Sequence, residues 1–263
     1  MMIERFETKK PIFTKGRILK NEMLAALRDF PRAVTDIFLK PYCDGVIFGF
    51  ELDANQTQIM IAPGIVKYQG ELIVLDAPLA VPYVANNREQ FLKLQFEDRY
   101  QTADFAGFVV NVILDQQQSQ RQNELEIASF KLSQGAYLRL DYQDFEDFKT
   151  GHNTLNIVNQ PYSSTSGTTL SPIILKYFVN ELVRYRTQNA QDLALIYQVL
   201  NQNTTVNREL LVYYLENRLA TSGAIYQSNE ALHAGLVQVL KKVQLAQNEV
   251  KQTVSSNRRL LVD

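Results

Sequence analysis

The sequence predicts an α+β protein: an N-terminal helix, a central antiparallel β-sandwich or small barrel, and a C-terminal helical bundle with a long last helix. Three observations carry this expectation. Apolar residues recur at helical spacing near the start and again after residue 171. Between 44 and 141 they fall instead in short runs rich in Val, Ile, Phe and Tyr, divided by Gly, Pro, Asn or Gln. No helical stretch of crossover length separates those runs, which argues against a doubly wound parallel sheet. The expected division is an N-terminal helical segment (1–43), a β domain (44–141), a linker (142–170) and a helical domain (171–263).

In the first segment, NEMLAALRDFPRAVTDIFL (21–39) puts Met23, Leu24, Leu27, Val34, Ile37 and Phe38 at helical spacing. Pro31 should kink this helix or open a second one, because proline suits a first turn but not an interior. The β domain holds alternating runs such as FLKLQFE, in which Leu92, Leu94 and Phe96 share one face and Lys93 and Gln95 the other. Within IAPGIVKYQGELIVL (61–75), Pro63 ends one strand and Gly64 is free to take a positive φ. Gln69-Gly70 then makes a hairpin turn between IVKY and ELIVL. A phosphate-cradling loop would need more glycines and a following helix, whereas a strand follows here. The segment 142–170 is polar, and Ser, Thr, Asn and Gly dominate its second half, so it reads as the connector.

After it, Ser171-Pro172 is an N-cap followed by proline at the first helical position. AQDLALIYQVL and NRELLVYYLENRL give two more helices. In the last helix Leu232, Leu236, Val239, Val243, Ala246 and Val250 follow three-and-four spacing, as in a coiled-coil strand. This seam fits packing within the chain's own bundle or against another chain, as an oligomer seam.

Composition bounds the function. With 263 residues, 46% of them hydrophobic and 21% charged, the chain can bury a sizeable core as one large domain or two ordinary ones. A net charge of −1 gives no general field toward nucleic acid or membrane. One cysteine, Cys43, rules out an internal disulfide and suits a reducing compartment. No apolar run approaches the roughly 20 residues of a membrane span. MMIERFETKK lacks the apolar segment of a signal peptide, so no leader is expected. No Walker sequence, dinucleotide fingerprint or nucleophile elbow is present, and SSTSG (163–167) reads as a loop. Asp141, Asp144, Glu146 and Asp147 lie near His152, but their spacing matches no metal-binding motif and Phe145 and Phe148 interleave with them. No catalytic, cofactor or metal residue is therefore expected. Two alternatives stay open. One is an enzyme with an unmarked carboxylate site. The other is a DNA-binding regulator with a helix-turn-helix over 190–219, where Asn207 and Arg208 would face bases. Its second helix has little polar face and a neighbourhood that is not basic, which argues against nucleic acid.

The segments FTKGRILKNEMLAALRDFP, YCDGVIFGFEL and IAPGIVKYQGELIVLD resemble proteins of Gram-positive prophages and phage tail-like particles. Their pattern of Gly45, Gly49, Pro63, Gly64 and Gly70 is similar to small β modules in baseplate proteins and at the N-termini of tail fibres. The resemblance covers about a third of the sequence. It implies a non-enzymatic structural protein without cofactor, acting as an assembly or fibre-attachment adaptor. Its partners would be other tail or baseplate proteins, with a homo-oligomer expected. Such a protein is made in the bacterial cytoplasm and assembled into a virion tail or tail-like particle. The β module would dock through a rigid hairpin with Lys67, Tyr68 and Gln69 at its contact tip.

Overall fold

The computed structural model describes residues 7–118, 121–150, 152–202 and 204–258, and side chains as far as 248. The chain divides into two units, Met1–Tyr42 and Cys43–Asp263.

The first unit contains helix α1 (Asn21–Leu39). It runs through Pro31 as one helix. The prolyl ring removes one backbone donor, and the Thr35 hydroxyl donates to the Pro31 carbonyl at 2.8 Å. No residue of α1 is buried.

The second unit is mixed α+β, with central, mostly antiparallel sheets and C-terminal helices. Its strands are β1 (Gly45–Gly49), β2 (Leu52–Ala54), β3 (Gln58–Ile61), β4 (Gly64–Tyr68), β5 (Glu71–Leu75), β6 (Leu79–Pro82), β7 (Glu89–Phe96), β8 (Tyr100–Gln101), β9 (Ala106–Gly107), β10 (Val110–Asp115), β11 (Glu124–Lys131), β12 (Tyr162–Ser164) and β13 (Gly167–Thr169). Sheet order is β13-β12-β1-β4-β5 in the largest sheet, with β10-β7-β11, β2-β3-β6 and β8-β9 beside it. Helices α2 (Pro172–Arg184), α3 (Ala190–Leu200), α4 (Arg208–Leu219) and α5 (Asn229–Arg258) follow. Ser171 caps α2 by accepting from the Ile173 N–H, ahead of Pro172 in the first turn.

The glycines of the largest sheet act by close approach more than by bending. Gly49 pairs with Gly64 across β1 and β4. A Cβ on Gly49 would run into the Pro63 carbonyl oxygen, and one on Gly64 would meet the Phe48 carbonyl oxygen at 2.6 Å and the Phe50 ring. Gly49 has φ +72°, whereas Gly64 lies outside the left-handed region that its sequence context suggests. Gly45 similarly leaves room for the Pro161 carbonyl. Gly49→Ala should therefore cost at least the roughly 1–3 kcal/mol of a strained backbone. The urea midpoint measures this, and a midpoint equal to that of the parent chain would contradict the packing just described.

Residues 142–170, expected as a linker, build the interior. Phe148, Leu155, Val158 and Leu170 are fully buried, as are Ser163 and Thr169. Strand β12 adds to the largest sheet in parallel with β1, Tyr162 opposite Val46. Most of the polarity that suggests a loop is satisfied internally, although the buried Thr169 hydroxyl has no hydrogen-bond partner among the described residues. The Ser163 hydroxyl donates to the Cys43 carbonyl at 2.5 Å, and the Ser164 hydroxyl to the Gly167 carbonyl at 2.6 Å. Once such groups have partners, burying them costs little. Sheets and helices thus share one apolar core, which includes Leu94, Phe130, Phe148, Phe178, Leu215 and Leu236.

Candidate functional site

A chain of side-chain hydrogen bonds joins the helices to the largest sheet. Helix α4 starts with Asn207 as cap, its side chain accepting from the Glu209 N–H at 3.1 Å. This capping is local chemistry, because the first turn leaves N–H groups unpaired. The following Arg208 sends its guanidinium back to the sheet. Nη1 donates to the Thr168 carbonyl at 2.6 Å and to Asn229 Oδ1 at 3.3 Å, and Nη2 donates to the Tyr226 carbonyl at 2.6 Å. Asn229, buried at the start of α5, donates to the Gln160 and Thr169 carbonyls at 3.2 and 3.1 Å. Gln160 in turn donates to the Phe50 carbonyl at 2.9 Å, at the end of β1. Partial burial lowers the Arg208 pKa from its ordinary value, and the carbonyl dipoles compensate the half-buried charge. This continuous chain of bonds pins the N-termini of α4 and α5 to β13, the approach to β12 and the end of β1.

The same geometry bears on the residues singled out from sequence. Asn207 also donates to the Thr165 hydroxyl at 2.6 Å and bonds the Ser166 hydroxyl. The two side chains of a base-reading helix-turn-helix are thus both bonded within the protein, Asn207 to the turn at 165–166 and Arg208 to β13, Tyr226 and Asn229. Gln69 and Gly70 form the β4–β5 turn, with φ of 50° and 78°. Both positive angles match the twist of a two-residue hairpin. The Asp44 carboxylate accepts from the Gln69 N–H at 2.8 Å and the Gly70 N–H at 3.4 Å, clamping the turn. Gln69 is exposed. Lys67 and Tyr68 are buried in β4, the tyrosine stacked 4.0 Å from Phe96. They stand behind the turn because strand pairing with β5 continues to Tyr68 opposite Glu71. In α5, Leu232, Leu236, Val239 and Val243 are buried in the chain's own core and Ala246 is exposed. The side chain of Val250 lies outside the described residues.

The acidic cluster resolves into a clamp. Asp147 takes a paired contact from Arg139, with Nη1–Oδ2 2.7 Å and Nη2–Oδ1 2.9 Å, and accepts from the Gln143 N–H and the Thr150 hydroxyl. The Arg139 bond chiefly holds its pKa down at about 2. Among the described residues no group of three His, Cys, Asp or Glu side chains is placed to hold a metal ion. No helix there is long and apolar enough to cross a membrane.

Several clefts open on the second unit. One, about 660 Å³, is lined by Glu124, Glu126, Glu230, Arg121 and Asn159 among others. The Asn159 amide donates to Glu126 at 3.3 Å and to Glu230 at 3.2 Å, and burial raises the Glu126 pKa above the usual carboxylate value. An acid biased toward its protonated form beside a second carboxylate is the arrangement that general acid–base chemistry uses. No spacing signal marks it, since Glu126, Asn159 and Glu230 come from three distant segments. Another cleft, about 740 Å³, carries Arg184, Arg186, Arg218 and Lys242 around Tyr185 and Val243. Arg184 and Arg218 already pair with Glu181 and Asp192.

No protein-family model and no curated protein matches the chain. Among solved structures it is similar to the crystal structure of TssK, at 10% identity and TM-score 0.43, over 92% of this chain and 72% of that one. It is also similar to a chain of the TssK-TssF-TssG baseplate subcomplex of the type VI secretion system, at 11% identity and TM-score 0.39, over 90% and 99%. Likeness this shallow carries no functional argument.

Proposed function

We propose that the chain is a structural component of a tail or baseplate-type particle, an adaptor that holds neighbouring proteins in fixed orientation and turns over no substrate. The observation that carries this reading is the bonded junction of Arg208, Asn229 and Gln160. An adaptor has to pass load between the partners at its two ends, so it needs no hinge between its sheets and its helices. A shared core crossed by charge-assisted and amide bonds to backbone carbonyls meets that need, because opening it would strand buried polar groups. The resemblance of the segments from Phe13 to Asp76 to particle β modules points to the same class of role. The exposed Gln69-Gly70 turn, clamped by Asp44, offers a stiff contact point on the sheet side.

The test is sedimentation of particles from cells producing a tagged chain. The chain should travel with the particle fraction, and Arg208→Ala should leave it in the soluble fraction or reduce particle yield. Intact particles assembled in a strain lacking the chain would end the proposal.

A further inference from the structure

The cleft of about 740 Å³ lies where the end of α2 and the start of α3 meet α5, and the second unit alone lines it. Four lining side chains, Arg184, Arg186, Arg218 and Lys242, are cationic and none is acidic. That sign runs against the surroundings, because residues 43–263 hold 18 Lys and Arg against 23 Asp and Glu. A cationic cleft on an acidic body confines attraction for anions to one place.

The four cations differ in what they already bind. Arg184 pairs with Glu181 at 3.3 Å. Arg218 commits Nε and Nη2 to the buried Asp192, at 2.7 and 3.2 Å, which fixes the guanidinium in place. Its Nη1 makes no hydrogen bond among the described residues. Lys242 Nζ donates to the Arg218 carbonyl at 3.4 Å and meets no carboxylate there. Arg186 bonds only through its backbone. Lys242 and Arg186 therefore keep uncompensated charge.

Arg186 also stands where local chemistry favours glycine. The Thr187 N–H donates to the Leu182 carbonyl at 3.3 Å and the Arg186 N–H to the Val183 carbonyl at 2.9 Å. This pair of bonds closes α2 in the helix-ending turn whose central residue is left-handed, and Arg186 has φ +50°. A side chain there strains the backbone in a way that glycine avoids. Its guanidinium returns no bond to the described chain.

Size and sign select the occupant. The volume lies within the roughly 300–1,000 Å³ of ligand pockets, too small to admit a duplex or a bilayer. The net-acidic unit also repels extended polyanions. Buried Val243 and half-buried Tyr185 add apolar lining that a bare inorganic anion leaves unused. The first unit is excluded by charge, since residues 1–42 hold nine Lys and Arg against five Asp and Glu. A short peptide carrying both carboxylates and apolar side chains satisfies the cations and the apolar lining together.

We infer that this cleft is the docking site for an acidic, apolar-containing segment of a partner protein, held by Arg186, Lys242 and the open Nη1 of Arg218. The inference goes beyond the adaptor reading, and its test involves no particle.

The probe is the fluorescein-labelled peptide Leu-Glu-Glu-Leu-Asp-Glu, titrated with the purified full chain. Its anisotropy should saturate, and binding should weaken as NaCl is raised. Arg186→Gly should leave the urea midpoint at or above that of the parent, because glycine suits this φ, while weakening peptide binding about tenfold, the loss of one charge-assisted contact. Lys242→Gln should weaken it by a similar factor. Absence of saturation with the parent chain overturns the inference, and so does binding that both variants leave unchanged. Equal binding of Leu-Gln-Gln-Leu-Asn-Gln would show an apolar groove only, and tighter binding of a single-stranded oligonucleotide would show a general polyanion site. Either result rejects the acidic peptide as occupant. A parent chain that self-associates and comes apart when the peptide is added would assign the cleft to a second copy and reject the partner segment.

Discussion

Replacing Asp192 with alanine is expected to cost about 3–5 kcal/mol, the usual penalty for stranding one partner of a buried ion pair. Asp192 has no solvent exposure. Oδ1 accepts from Arg218 Nε at 2.7 Å and from the Tyr214 hydroxyl at 2.7 Å; Oδ2 accepts from Arg218 Nη2 at 3.2 Å and the Thr187 hydroxyl at 2.6 Å. One carboxylate thereby ties α3 to α4 and to the turn after α2. Burial, helped by the negative charge of Asp192, pushes the Tyr214 phenol well above its ordinary range, so it stays a donor throughout the accessible pH range. Removing the carboxylate leaves a guanidinium and two hydroxyls without their acceptor. Urea denaturation should show the loss as a lower midpoint. Asp192→Ala/Arg218→Met should cost less than Asp192→Ala alone, because the orphaned charge is gone. A single variant within about 1 kcal/mol of the parent chain would mean that the network contributes little to stability.

The second large effect is acid sensitivity centred on His233. Its ring is buried, stacks 4.6 Å from Phe145, and donates Nε2–H to the Phe145 carbonyl at 2.9 Å. Burial is the main reason its pKa falls to about 4 from the 6.5 of a free imidazole. The Phe145 carbonyl, Glu146 and Glu230 favour the charged ring and Lys149 opposes it, but desolvation outweighs them. Because the folded pKa is the lower one, its stability contribution is complete above pH 6.5 and is lost as pH falls toward 4. The full loss is about 3 kcal/mol. Asp147, held down at about 2 by Arg139, adds a separate loss below the 3.8 of a free carboxyl. Glu126, with its raised pKa, works in the opposite direction by favouring the folded state as it protonates. His233→Gln retains a donor for the Phe145 carbonyl without a titrating ring, so subtracting its stability curve isolates the histidine. Equal slopes for parent and variant between pH 6.5 and 4 would refute the assignment.

The features legible in the sequence are those set by near neighbours in the chain. Helix α1, the Ser171-Pro172 start of α2, and the Gln69-Gly70 turn each follow from a few adjacent residues. The alternation that puts Leu92, Leu94 and Phe96 on one buried face does so too. Lys93 marks where that reading stops. Its alternation suggests a solvent face, yet it is buried, with Nζ 3.1 Å from both Glu124 and Asp115 and 3.0 Å from the Gln117 carbonyl. Those partners lie 22 to 31 residues away, and β10 and β11 bring them alongside only because both pair with β7.

The sequence by itself determined the α+β class, the kinds of element and their order, because period, caps and turn residues act over a few positions. Only the tertiary structure decided that residues 142–170 complete the largest sheet and that α5 buries Leu232 to Val243 in its own core. It alone also turned Arg208 toward the sheet. The physical reason is the same in each case. A polar group is cheap to bury when it has a partner, and an apolar stripe is covered only when a neighbour fits it. In a folded chain those partners come from segments that no local pattern connects.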